Sequence, residues 1–66
     1  MNKERMIWLA TYADGKNMDY ETFMYCDYMY KEEDRMFLDE IWEYYLELSE
    51  IGSIAFREKY EGIKMY

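Results

Sequence analysis

Histidine and proline are absent from the 66 residues, glycine occurs three times and cysteine once, and each scarcity removes a class of explanation. Without histidine the commonest general base is missing, and Cys26 has no imidazole to activate it as a nucleophile. One thiolate without histidine does not hold a structural zinc ion, and a single cysteine forms no disulfide within the chain. With no proline, no helix is forcibly interrupted. Apolar runs are short. None approaches the roughly 20 residues of a membrane span, and the run Met6 to Ala10 falls below the roughly 7–15 residues of a signal-peptide core. These absences predict a cytosolic chain in which Cys26 is a small buried hydrophobe.

Motifs that carry chemistry are missing too. There is no glycine-rich phosphate loop, dinucleotide fingerprint or nucleic-acid-binding motif. Asn17 to Glu21 opens like a calcium loop, but Thr22 stands where such a loop needs glycine and Tyr28 where it needs glutamate. Fifteen acids in so short a chain make adjacent carboxylates inevitable, so such pairs carry no signal for acid–base catalysis of the glycosidase kind. The expectation is a protein without enzymatic activity, cofactor or metal.

What is present is charge of one sign and a surplus of rings. The net charge is −7, which argues against direct contact with nucleic acid or an anionic membrane, since both require basic patches. Nine tyrosines, three phenylalanines, two tryptophans and seven methionines are too much apolar surface for a disordered chain. Residues 1–66 make one small domain. Such a domain buries only about 60% of its unfolded surface, and with disulfides and zinc excluded the remaining supports are close packing or a partner subunit. A homodimer is expected.

Periodicity divides the chain into four segments. Met6, Leu9, Ala10 and Ala13 form a helical stripe within about residues 2–13, with Gly15 placed to end it. Residues 18–30 read two ways. Asp19 is a good N-cap, yet the even positions from Met18 to Tyr30 also form one face of a strand, and Asp14-Gly15 could turn a hairpin. The clearest element spans 33–51, where Phe37, Ile41, Tyr44, Leu48 and Ile51 recur at helical spacing and the acids fall opposite. Gly52 ends it, Ser53 caps a last helix bearing Phe56, Tyr60 and Ile63, and Gly62 stops that helix. The predicted fold is all-α, three to four short helices around the 33–51 helix. The alternative is an N-terminal β-hairpin packed on two helices.

Two surfaces stand out. Residues 32–50 hold eight acids and one base, Arg35, so a local charge of −7 equals that of the whole chain. Asp39, Glu40, Glu43, Glu47 and Glu50 share one stripe roughly 16 Å long, about one carboxylate per 3–4 Å, near the ~3.4 Å phosphate spacing of a DNA strand. Any amphipathic helix turns its charges to water, but most interleave both signs. Here no lysine lies between Lys31 and Lys59, and Glu43–Glu47 is a like-charge i, i+4 pair. The second surface is the Tyr/Met-rich segment with Tyr20, Met24, Tyr25, Tyr28 and Met29. One helix in a small domain hides about half its circumference, so these side chains either meet another chain, as interface tyrosines and methionines do, or snorkel with hydroxyls in water.

In size, acidity and tyrosine content the chain resembles the small inhibitor proteins that phages and mobile elements direct at host nucleic-acid enzymes, some of which mimic DNA. The resemblance covers composition and no motif. It implies a non-catalytic inhibitor or decoy that shows its acidic helix face to a basic, nucleic-acid-binding protein. The competing expectation is a small adaptor or assembly protein that works through the Tyr/Met face.

Overall fold

A computed structural model describes residues 2–66. Asn2 opens the first helix, α1 (Lys3–Gly15), its side chain accepting the Glu4 amide at 2.6 Å. The predicted stripe of Met6, Leu9, Ala10 and Ala13 is buried, and so is Ile7 on a different side. Being apolar on two sides, α1 sits between two packed clusters. One joins its stripe to Met18, Phe23, Cys26, Met29, Tyr30, Ile41 and Tyr45; the other joins Ile7 to Leu48 and Phe56. The longest helix, α4 (Leu38–Ile51), packs along α1 and supplies Ile41, Tyr45 and Leu48 to these clusters. The centre of the fold is therefore α1 with α4, rather than the 33–51 helix alone.

The molecule is all-α, and among the described residues there are five helices and no strand. The predicted all-α fold is what forms, and the alternative hairpin gives way to helix and loop. Asp19 does cap a helix, accepting the Thr22 amide at 2.7 Å, but α2 (Tyr20–Tyr25) stops after six residues. Residues 26–31 then run without regular structure. Two buried tyrosines pin this region by donating to backbone carbonyls, Tyr30 to Phe23 and Tyr45 to Met18, both at 2.7 Å. Each hydroxyl satisfies an acceptor that a longer helix would have paired internally.

The expected 33–51 helix is also divided. A single turn, α3 (Glu32–Arg35), precedes α4, and Phe37 between them has φ −125° and ψ 20°, off the helical conformation. Asp34 in α3 is committed elsewhere. It is 2% exposed, accepts the Lys31 amide at 2.8 Å, and takes the Arg5 guanidinium through Nη2 at 2.9 Å and Nε at 3.3 Å.

Gly52 ends α4 as expected, at φ +88°, a conformation that glycine alone adopts without strain. Its position also serves as N-cap of α5 (Ser53–Lys59), where the sequence suggested Ser53. That helix stops at Lys59, before Gly62. Gly15 is likewise the last residue of α1 instead of lying past its end; the left-handed residue there is Asn17, at φ 53°. The tail returns to α1, where the Tyr66 amide donates to Thr11 Oγ1 at 3.0 Å and the Tyr66 ring packs edge-on against Tyr12 at 4.8 Å. A Cβ on Gly15 would lie 3.0 Å from that ring, so the bare glycine admits the tail.

Candidate interaction surface

The side of α4 turned away from α1 carries the acidic stripe. Asp39, Glu40, Glu43 and Glu50 are exposed, and among the described residues none of them forms an ion pair; the three pairs present are Arg5–Asp34, Arg35–Asp27 and Lys59–Glu47. These four carboxylates stand where the periodicity put them. Glu40, Glu43, Tyr44 and Glu47 line an open depression of about 300 Å³. Among the described residues no group of acids and thiols is placed to hold a metal ion.

Glu47 departs from the expected stripe. Its Oε2 accepts Lys59 Nζ and its Oε1 accepts the Tyr60 hydroxyl, each at 2.6 Å, so its charge is spent on α5. The Lys59 bond, then the Tyr60 bond, hold the Glu47 carboxyl below its usual range, while the same contact raises the Lys59 ammonium above its usual value. The repulsion of Glu47 by its neighbour Glu43 is thus offset by a cation twelve residues beyond Glu47. Removing Glu47 thins the stripe to roughly one free carboxylate per 4 Å, a looser spacing than phosphates on a DNA strand.

The Tyr/Met surface separates into two groups. Tyr25 and Tyr28 are 77% and 74% exposed, and Tyr20 is half exposed with its ring edge-on to Trp42 at 5.0 Å. Met24 is partly buried against the core, and Met29 lies in the core itself. Met29 therefore presents little surface to a partner. Much of the tyrosine surplus is consumed the same way, since Tyr30 and Tyr45 are buried with their hydroxyls bonded. Beside Tyr28, a shallow groove is lined by Arg5, Trp8, Tyr12 and Met29.

Sequence reasoning missed Leu46. It lies between Glu43 and Glu50 on the acidic side and is 48% exposed. The signal was available, because Leu46 follows Glu43 by three positions and precedes Glu50 by four, which places an apolar residue on the polar face of the helix. The chain matches no protein-family model, and no curated protein or solved structure matches it significantly.

Proposed function

We infer that the protein is a non-catalytic inhibitor or decoy that presents the outward face of α4 to a basic, nucleic-acid-binding protein. The observation that supports this reading is the set of four exposed carboxylates, Asp39, Glu40, Glu43 and Glu50, with no intramolecular cation among the described residues. A helix selected only for stability gains from interleaved opposite charges; this face has none, while Arg5, Arg35 and Lys59 are directed to Asp34, Asp27 and Glu47. Uncompensated charge of one sign steers an oppositely charged partner and disfavours other surfaces. The test is capture of a nucleic-acid-binding protein on the immobilised chain, followed by competition. Duplex DNA is expected to release the captured protein, because both ligands occupy one basic site. Retention in saturating DNA would place the contact elsewhere and reject the decoy reading.

A second reading rests on Tyr25 and Tyr28, whose exposure on a chain this small suits self-association or an adaptor surface. Sedimentation at micromolar concentration is expected to report a dimer, and Tyr25→Ser with Tyr28→Ser a monomer. A wild-type monomer would leave that face to a different protein.

A further inference from the structure

Leu46 does not stand alone on the outer side of α4. Trp42 lies one turn before it, partly buried, stacked on Tyr45 at 4.8 Å and set nearly perpendicular to the exposed Tyr20 ring at 5.0 Å. Residues four apart on a helix are neighbours, so Tyr20, Trp42 and Leu46 form one apolar ridge. Asp39, Glu43 and Glu50, spaced four and seven residues apart, lie along one side of it. An apolar centre edged by charge is the arrangement of a protein-binding surface: the centre excludes water and the rim selects the partner.

We propose that this ridge docks on a protein surface whose apolar notch receives Leu46 and the edge of Trp42, and whose rim carries lysine or arginine opposite Asp39, Glu43 and Glu50. The inference rests on the acidic face being the binding surface, and it adds that the partner is more than a row of cations. Charge complementarity selects this occupant. A second copy placed ridge to ridge would bring carboxylates against carboxylates, and a nucleic acid or anionic membrane would be repelled. A purely cationic strand would neutralise the rim and leave Leu46 in water.

Two synthetic 14-residue helical peptides of equal positive charge serve as probes, one of lysine and leucine, the other of lysine and serine. Titration is followed by amide chemical shifts of the labelled protein. The lysine–leucine peptide is expected to bind more tightly, with shifts centred on residues 42–50. Leu46→Ser is expected to weaken that peptide by roughly fivefold or more and to leave the lysine–serine peptide unchanged. If Leu46→Ser binds both peptides as wild type does, or weakens both equally, the notch is wrong while the acidic reading stands. If Asp39→Lys with Glu43→Lys binds both peptides as wild type does, the acidic reading fails and this inference fails with it. Leu46 is on the surface of α4, so unchanged helicity and melting temperature confirm that the variant is folded.

Discussion

Asp34→Ala is expected to cost about 3 kcal/mol of stability, at the lower end of the range for breaking a buried ion pair. The lower end applies because Arg5 is 33% exposed in its side chain and can regain water, whereas Asp34 is enclosed. The loss removes three acceptor contacts, to the Lys31 amide and to two guanidinium nitrogens, that join the loop before α3 to α1. A domain of this length has a total stability of only ~3–10 kcal/mol, so the loss removes between about a third and all of it. Asp27→Ala is the control. It breaks the Arg35 pair, but Asp27 is almost wholly in water, and such pairs contribute less than about 1 kcal/mol. Urea unfolding of the two variants measures the difference. Equal losses would show that the buried Asp34 pair contributes no more than an exposed one.

The same carboxylate gives the fold a pH dependence. Burial pushes Asp34 up, but the Arg5 bond and the Lys31 amide together pull it further down, so its folded value lies below the usual 3.8. A depressed folded value means that the unfolded state binds the proton more readily. The stabilisation is therefore complete above the ordinary carboxylate range and is lost as pH falls below about 4 through the folded value. The stability gap between wild type and Asp34→Ala is expected to narrow in that window. A gap unchanged through that window would mean that folding does not lower the Asp34 carboxyl below its ordinary value.

The second large effect is on binding. Asp39→Lys with Glu43→Lys is expected to weaken the partner complex by about 1–3 kcal/mol, roughly fivefold to more than a hundredfold. Melting temperature should hardly move, because both side chains are exposed and neither is paired within the described residues. Glu47→Lys must behave differently. It removes the acceptor of Lys59 and Tyr60 and sets a third cation near Lys59 and Lys3, so a stability loss of about 1 kcal/mol is expected. A double variant that includes position 47 would confuse fold with binding. Wild-type affinity in Asp39→Lys with Glu43→Lys would return the stripe to the role of a solvated face.

The features legible in the sequence are those that depend on near neighbours. The stripe of α1, the Asp19 cap and the Gly52 stop all follow from spacing or from one residue's backbone preference. So does the exposure of Asp39, Glu40, Glu43 and Glu50. The misreadings share a different cause. Asp34 is joined to a guanidinium 29 residues away, and nothing in the local pattern around Phe37 announces that the helix must break there. Glu47 looked like an uncompensated neighbour of Glu43 because its cation arrives only after the turn at Gly52. The Tyr/Met segment looked like a single surface because side-chain chemistry does not show which tyrosines find a buried carbonyl; Tyr30 and Tyr45 do, while Tyr25 and Tyr28 remain in water.

The most direct test of the acidic face is the salt dependence of affinity for the captured basic partner, measured from about 50 to 500 mM monovalent salt. Contacts between exposed opposite charges are screened over this range, where the Debye length falls from roughly 14 to 4 Å. The logarithm of Kd is expected to rise steeply with the logarithm of salt for the wild type, and with a clearly shallower slope for Asp39→Lys with Glu43→Lys. A wild-type affinity that is flat across the range would contradict the account and transfer the binding to the apolar surfaces.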